Sequence, residues 1–489
     1  MTALFGSAVG GLWWWPFVVL VVSVALIVVL ITVVRLHAFL ALILAAIAAG
    51  LLAAQLPGGA GRSHWVQAVE LTTQEFGVMA GKVAVVIALA SVIGLCLMES
   101  GAADKVVRRF LAVFGERRAG TAMFLSSYVI SIPIFFDTVF MLLLPLARAM
   151  ALRTGKDYLL YVMAICTAGI VTHSLCAPHP GPLAMAEALQ VDLGLSIIVG
   201  VVVGIVPATA GWVVANWLNR RYPIPLRETA GAPLADLASI VRKDERELPA
   251  FGWAITPVVL PIFLISLASL FDAALKQPDT FPWLIGLCGG RETFPAVALW
   301  VEFIGNRNVA LLLGTVVAMG LLMRQRRVTV AKVCQWIGPP LETAGVIILI
   351  TSAGGAFGLM LKNAGVGEAI KTAAEGREIN LIFLAWLVAA VIRVAQGSAT
   401  VAMLTTSAMV LPLMQAGLPY HPIYIFLAIG FGAMICSWMN DSGFWVVGRL
   451  SGFTEQETLK SWTVIATVNS VAGLVVTWLV AALLPMAAR

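Results

Sequence analysis

The chain contains 489 residues, of which 60% are hydrophobic and only 11% are charged, and its mean hydropathy is +0.97. This composition excludes an ordinary soluble domain and predicts a protein embedded in a lipid bilayer. The formal net charge of +6 does not indicate a nucleic-acid partner, because no basic stretch carries the interleaved aromatic residues of such binding surfaces.

Apolar runs long enough to cross a bilayer follow one another along the chain. A hydrocarbon core about 30 Å thick requires about 20 apolar residues per helical crossing. The first run, 12–34, has no Lys or Arg before it and no cleavage-like site after it, so it predicts a retained helix and not a secretory signal. Ten full crossings are predicted, at 12–34, 36–56, 77–98, 157–176, 194–219, 251–275, 305–323, 333–360, 420–438 and 461–485.

Two further apolar stretches, 119–152 and 379–416, are too long for one straight helix. Each contains residues that interrupt a helix, because proline lacks a backbone donor and glycine lacks a side chain. These residues are Pro133 and Pro145 in the first stretch, and Gly397 and Pro412 in the second. Each stretch therefore predicts a re-entrant hairpin.

The distribution of Lys and Arg predicts the orientation in the membrane, because these residues collect in short cytoplasmic loops. With an external N-terminus and two re-entrant stretches, the cytoplasmic segments contain 21 Lys and Arg residues and the external segments contain seven. These cytoplasmic segments are Arg35, 99–118, 148–156, 220–250, 324–332 and 440–460. We therefore predict a multi-pass protein of the bacterial inner membrane with both termini in the periplasm.

The two halves of the chain repeat one another. The segment 127–151 aligns with 393–416, which places Ser131 over Ser398 at a spacing of 267 residues, and the same spacing places 172–174 over 439–441. The charge distribution predicts that the two units are inverted, as in secondary transporters that bind substrate at the repeat interface. The predicted units are N-terminal helices (1–76), a first repeat (77–219), a cytoplasmic loop (220–250), linking segments (251–332) and a second repeat (333–485).

Asp137 is a carboxylate inside the first predicted hairpin, flanked by Phe135, Phe136 and Phe140. Polar groups at membrane depth are costly and mark transport pathways. Desolvation in these surroundings disfavours the charged form, which suits a residue that couples transport to protons. The alternative is a structural carboxylate that interacts with the dipole of a half-helix N-terminus.

The segment THSLCAPHPGP (172–182) contains two of the five histidines, His173 and His179. Its prolines and Gly181 break the helix and free backbone groups that only a protein-lined or wet cavity satisfies. Histidine titrates near physiological pH and binds anionic or hydroxyl-bearing ligands. Thr172 and His173 are predicted to bind substrate, and His179 is either a proton-coupling residue or one that makes a fold-fixing hydrogen bond.

The segment GSAT (397–400) places Ser398 and Thr400 at the break of the second stretch. Hydroxyls and backbone N–H groups at a half-helix N-terminus predict a carboxylate site. Arg393 lies just before them and is predicted to clamp a substrate carboxylate. The alternative for this arginine is that its side chain extends to the membrane interface.

The segment NDSGFW (440–445) adds two polar residues at the end of a crossing. Asn440 aligns with His173 across the repeat and is predicted to bind substrate. Asp441 is predicted to couple transport to protons, and the alternative is that it caps the short helix that follows.

The sequence indicates no metal and no cofactor. The six cysteines are scattered without CxxC spacing, which indicates buried structural thiols. No Walker A, zinc or nucleophile-elbow pattern is present, so transport driven by ATP within this chain is disfavoured.

Over nearly its whole length the sequence resembles the gluconate permease family (GntP type, gluconate:proton symporters), part of a wider ion-transporter superfamily. The resemblance implies an all-α inverted-repeat secondary transporter with two re-entrant hairpins and an elevator-type movement. It also implies import of a small anionic sugar acid with protons, and such scaffolds often form homodimers. The motifs that carry it are FFDTVFMLLLPL (135–146), THSLCAPHPGP, RVAQGSATVAMLTT (393–406), NDSGFWVV (440–447) and ETLKSWT (457–463).

The sequence departs from this family at two positions. Gluconate-transporting members usually carry Glu in place of Asp137 and Pro in place of Ala177. The shorter acid enlarges the cavity slightly or moves its charge, which leaves gluconate, ketogluconate, idonate, fructuronate, glycerate and D-serine open as substrates. Sodium coupling, a channel, and a membrane-embedded enzyme that uses the same His and Asp residues are the alternatives, and the repeat disfavours the enzyme.

Overall fold

A computed structural model shows a bundle of helices, and the part of the chain that it describes contains no strand. The described residues are 13–57, 63–115, 118–132, 134–227, 248–276, 278–279, 281–366, 369, 380–414, 418–439 and 441–486. The helices up to the central loop are α1 (Trp15–Thr32), α2 (Ala38–Leu52), α3 (His64–Glu99), α4 (Ala102–Phe114), α5 (Ala119–Ile130), α6 (Phe136–Thr154), α7 (Tyr158–Leu175), α8 (Pro180–Ala188) and α9 (Leu193–Arg221). The later helices are α10 (Phe251–Lys276), α11 (Pro282–Leu287), α12 (Phe294–Gly305), α13 (Arg307–Arg326), α14 (Val330–Asn363), α15 (Leu381–Gln396), α16 (Ala399–Met414), α17 (Ile423–Gly432), α18 (Ser442–Ser451), α19 (Glu455–Thr458) and α20 (Val464–Leu483).

Within the described residues, seven helical segments are long and apolar enough to cross a membrane. Large apolar side chains also cover the outside of the bundle, and Trp217, Phe263 and Leu299 are each more than half exposed. Exposed apolar surface on this scale is typical of contact with lipid. The prediction of an all-α, multi-pass membrane protein is confirmed.

Several predicted boundaries are wrong. The crossing predicted at 77–98 begins at His64, because the Ser63 hydroxyl accepts a hydrogen bond from the Val66 N–H and caps α3 there. The crossing predicted at 420–438 is helical only from Ile423 to Gly432. A separate helix, α12, precedes the predicted crossing at 305–323, and Asn306 caps the helix after it.

Both long apolar stretches are interrupted, as predicted. The first breaks between Ile130 and Phe136, and the second breaks at Gly397, whose φ of +79° is the left-handed conformation that favours glycine. The prolines further along each stretch, Pro145 and Pro412, lie inside helices. The interruptions therefore fall near or before the middle of each stretch and place two helix N-termini, those of α6 and α16, inside the protein.

The order of elements repeats between the two halves. A long helix (α3 or α14) ends near a positive-φ glycine, Gly101 in the first half and Gly365 in the second. After the further helix α4 in the first half, an interrupted pair, a buried helix, a short helix and a long helix follow in each half. The buried helices, α7 and α17, lie at the centre and are apolar all around, as expected of helices surrounded by protein.

Polar contacts link the two repeats at their centre. Asn469 on α20 and Thr167 on α7 are both fully buried. The Asn469 Nδ2 donates to the Thr167 carbonyl oxygen at 3.3 Å, and the Thr167 hydroxyl lies 3.1 Å from Asn469 Oδ1. Gly211 leaves the space for this pair, since a Cβ there would lie 2.1 Å from Asn469 Oδ1.

Two basic residues that lie within or beside membrane runs, Lys82 and Arg307, share one acidic partner. Glu187 on α8 pairs with Arg307 on α13, and its other oxygen lies 3.6 Å from the Lys82 Nζ on α3. At the far end of α3, Glu99 lies 3.6 Å from an Arg326 nitrogen. These pairs connect helices of the first repeat to the linking segment between the repeats.

Helix α14 approaches α16 closely at Gly358, where an added Cβ would lie 2.6 Å from the Ala408 Cβ and 3.2 Å from its Cα. We expect Gly358→Ala to be about 1–3 kcal/mol less stable than Gly345→Ala on the same helix, because the first substitution overpacks this contact. Gly345 has no atom within 4 Å of its added Cβ, so the gain in helix propensity cancels in the comparison. Thermal unfolding of both variants in detergent measures the difference, and equal stabilities would contradict the packing described.

Candidate functional site

A cavity of about 490 Å³ lies where the broken elements of the two repeats meet. Its wall combines the start of α6, the end of α7, the break between α15 and α16, and the start of α18. Helix α14 and the π-helical turn Leu459–Thr463 complete the wall. The predicted site residues that line it are Asp137, His173, Arg393, Ser398, Thr400 and Asp441.

Arg393 lies in the last turn of α15 and is only 3% exposed. Its Nη2 donates to Asp441 Oδ2, and its Nη1 donates to the Gly397 carbonyl oxygen. The guanidinium therefore remains in the protein interior and does not extend to the membrane interface. It is a cation in the wall of the cavity, held by one carboxylate.

Asp441 is the N-cap of α18, and its Oδ1 accepts a hydrogen bond from the Gly443 N–H at 3.2 Å. Its Oδ2 accepts from Arg393 and from the Ser437 hydroxyl. The Ser437 oxygen in turn accepts from the Trp462 Nε1 at 2.6 Å. Asp441 thus caps the helix and also bears a charge at the cavity wall, so both sequence interpretations agree with its position.

Asp137 lies in the first turn of α6, and its side chain is exposed in the cavity wall. The positive end of the α6 dipole favours a carboxylate at this position. Among the described residues that line the cavity, the charged side chains are Asp137, Asp441 and Arg393. With both acids ionised, their formal charge is therefore −1.

The two histidines lie side by side, with ring centroids 4.7 Å apart. His173 lines the cavity, and its buried Nδ1 has no hydrogen-bond partner among the described residues. His179 is buried behind it, and its Nε2 lies 2.7 Å from the Ser131 carbonyl oxygen at the end of α5. This geometry fits the fold-fixing hydrogen bond for His179 and a ligand-facing position for His173.

The predicted hydroxyl residues divide into two groups. Ser398 and Thr400 line the cavity at the start of α16, and the Ser398 oxygen accepts from the Val401 N–H at 3.3 Å. Among the described residues, none accepts a hydrogen bond from the Ser398 hydroxyl. Thr172 is fully buried away from the cavity, with its hydroxyl 3.1 Å from the Ala168 carbonyl oxygen of its own helix. Asn440 lies outside the described residues.

Sequence reasoning assigned no role to Trp462 and Thr343, which line this cavity. Trp462 lines it, stacks on Phe136 with ring centroids 5.2 Å apart, and positions Ser437. Thr343 on α14 also lines it. The motif ETLKSWT contains Trp462, but its contact with Phe136 across the repeats follows only from the tertiary structure.

A second cavity, of about 680 Å³, adjoins the first. The two share Phe135 and Thr343 as lining residues. The second cavity extends to Glu99 at the end of α3 and to Gln335 near the start of α14.

The described residues contain no group of three or more His, Cys, Asp or Glu side chains arranged to hold a metal ion. What the lining residues offer is a buried cation, hydroxyl donors, an imidazole and two acids. These groups suit recognition of a hydroxylated anion by ion pairing and hydrogen bonding.

Residues 15–484 of the chain match the GntP permease family (GntP family permease). The chain is 34% identical to the gluconate permease of Pseudomonas aeruginosa, over 93% of this chain and 95% of that protein. It is 30% identical to the Gnt-II system L-idonate transporter of Escherichia coli, over 94% and 97% of the two chains. It is 31% identical to the low-affinity gluconate transporter of the same species, over 93% and 95%.

The fold is similar to that of a solved transporter. The YdaH transporter of Alcanivorax borkumensis, whose topology is described as unusual, superposes with a TM-score of 0.58 over 92% of this chain and 98% of that chain. The sequence identity is 14%, so this similarity concerns the fold alone. The family match covers nearly all of the chain, and this protein therefore belongs to the GntP family of permeases, which are membrane transporters and not enzymes.

Proposed function

We propose that this protein imports gluconate or a closely related sugar acid by proton symport. One observation carries the proposal: the buried guanidinium of Arg393 lines a cavity together with the hydroxyls of Ser398 and Thr400 and the exposed carboxylate of Asp137. A guanidinium pairs with a carboxylate, and hydroxyl groups match the hydroxyls of a sugar acid. The names of the gluconate and L-idonate transporters among the relatives support the same substrate class.

Charge balance supports coupling to protons. Asp137 and Asp441 together exceed the charge of Arg393 by one, so an anionic substrate would raise the negative charge of the cavity to −2. Uncompensated charge is costly inside a membrane protein. A proton on Asp137 reduces that charge as the substrate binds, and the loaded carrier moves at lower cost. In this proposal, His179 does not carry the proton. Its hydrogen bond to the Ser131 carbonyl oxygen instead holds the backbone at the end of α5.

The adjoining cavity is the proposed release path. Under the predicted topology, with both termini periplasmic, the ends of α3 and α14 that border it face the cytoplasm. Phe135 and Thr343 then separate the binding site from the cytoplasmic vestibule. Movement of the site relative to α14 would alternate access, as in the proposed elevator-type mechanism.

Uptake of labelled gluconate into proteoliposomes with an imposed inward proton gradient tests this function. Accumulation that collapses with a protonophore and is competed best by unlabelled gluconate is expected. Better competition by L-idonate, ketogluconate, fructuronate, glycerate or D-serine would replace the substrate and keep the mechanism. Accumulation that follows a sodium gradient without a proton gradient would replace the coupling ion, and equilibration without accumulation would indicate a channel.

A further inference from the structure

The guanidinium that faces the proposed substrate is already paired with a carboxylate of the protein. Given the proposed function, we propose that Asp441 occupies the place of the substrate's carboxylate on Arg393, and that a proton on Asp441 releases the guanidinium to the substrate. Substrate carboxylate and proton would then enter the site together, because each requires the other.

The hydrogen bonds of Arg393 explain why the two carboxylates compete. A guanidinium binds a carboxylate in bidentate fashion along one of two edges, Nε with Nη2 or Nη1 with Nη2. Both edges include Nη2, and one of its two N–H groups donates to Asp441, while Nη1 donates to the Gly397 carbonyl oxygen. The Arg393 Nε is buried and has no hydrogen-bond partner among the described residues. A carboxylate on the Nε and Nη2 edge would satisfy Nε and compete with Asp441 for the single positive charge of Arg393.

This competition leaves an ionised Asp441 in unfavourable surroundings. It is only 8% exposed, and the charged and titratable groups that face the same cavity are Arg393, Asp137 and His173 among the described residues. Once the substrate holds Arg393, an ionised Asp441 would share the site with a second anion and, in the absence of protons, with Asp137. Like charges in one cavity disfavour ionisation, so a proton on Asp441 relieves this repulsion.

The hydrogen bonds of Asp441 suit both protonation states. In the ion-paired state the Ser437 hydroxyl donates to Asp441 Oδ2, and the Ser437 oxygen accepts from the Trp462 Nε1. When Asp441 is protonated, its O–H can donate to the same Ser437 oxygen after the hydroxyl rotates, because a hydroxyl both donates and accepts. The Gly443 N–H continues to donate to Asp441 Oδ1. The carboxyl group therefore keeps its position as the helix cap in either state.

The number of protons taken up with gluconate tests this exchange. Isothermal titration of gluconate into the purified full-length protein, in buffers of different ionisation enthalpy, measures that number. The wild-type protein is expected to take up protons, so its affinity rises as the pH falls, by about tenfold per pH unit for each linked proton. Asp441→Asn is expected to take up one proton fewer. Its gluconate affinity is therefore expected to rise about tenfold less per pH unit as the pH falls than that of the wild-type protein. Asp137→Asn is expected to keep the proton linked to Asp441.

Asp192→Asn is the matched control, because Asp192 caps α9 as Asp441 caps α18 but lies outside this cavity. Its proton count is expected to equal that of the wild-type protein. If the wild-type protein takes up protons with gluconate and Asp441→Asn takes up the same number, the exchange is overturned and the proposed symport remains intact. A wild-type protein that binds gluconate without any proton would overturn both.

If Asp441→Asn does not fold, an infrared measurement tests the proposed exchange. In Asp137→Asn protein, gluconate is expected to induce the C=O stretching band of a protonated carboxylic acid, which the exchange assigns to Asp441. Absence of that band from a variant that binds gluconate would overturn the exchange.

Discussion

Asp137→Asn protein is expected to exchange gluconate across a membrane but to lose the part of its proton-driven accumulation that Asp137 carries. Asparagine has nearly the same shape as aspartate, so the cavity keeps its volume, but the amide cannot carry a proton through the transport cycle. Each coupled proton supports about tenfold accumulation per unit of imposed pH gradient, and the variant loses the contribution of this proton. Uptake and counterflow in proteoliposomes with equal amounts of protein measure the two activities.

Asp137→Glu is the matched control for this experiment. It restores a titratable acid that is one methylene longer. We expect it to retain proton-driven accumulation, with a changed affinity because the charge moves within the cavity. Full accumulation by Asp137→Asn protein would exclude Asp137 as the coupling residue.

Arg393→Gln is expected to destabilise the protein by about 3–5 kcal/mol and to abolish gluconate uptake. The substitution leaves the buried Asp441 carboxylate without its cation, and removal of one partner from a buried ion pair carries a penalty of this size. Thermal unfolding of the purified protein in detergent measures the loss of stability. Uptake measured on folded protein separates loss of binding from loss of fold.

The double variant Arg393→Gln, Asp441→Asn is the control for charge. It removes both members of the pair, and Asn remains a good helix cap, so most of the lost stability is expected to return. Transport is not expected to return, because no guanidinium remains to bind the substrate. A double variant as unstable as the single variant would show that Arg393 acts through its packing and not through Asp441.

Much of the candidate site could be predicted from the sequence, because charged and polar residues are rare in apolar runs. Asp137, Arg393, Ser398, Thr400 and Asp441 come from two distant parts of the chain, and all five line the cavity. The prediction of Thr172 as a substrate-binding residue differs from its position, since its hydroxyl is directed into its own helix. The family excludes the membrane-embedded enzyme that the same His and Asp residues left open.

By itself, the sequence determined that the chain lies in a membrane, that two long apolar stretches are interrupted, and that its halves repeat. These properties follow from local composition and spacing, which require no knowledge of distant contacts. Only the tertiary structure decided that Arg393 pairs with Asp441, 48 residues away, and that Trp462 supports this pair through Ser437. Pairing of this kind depends on where helix ends meet after the repeats pack together, and this packing is set by shape complementarity between helices.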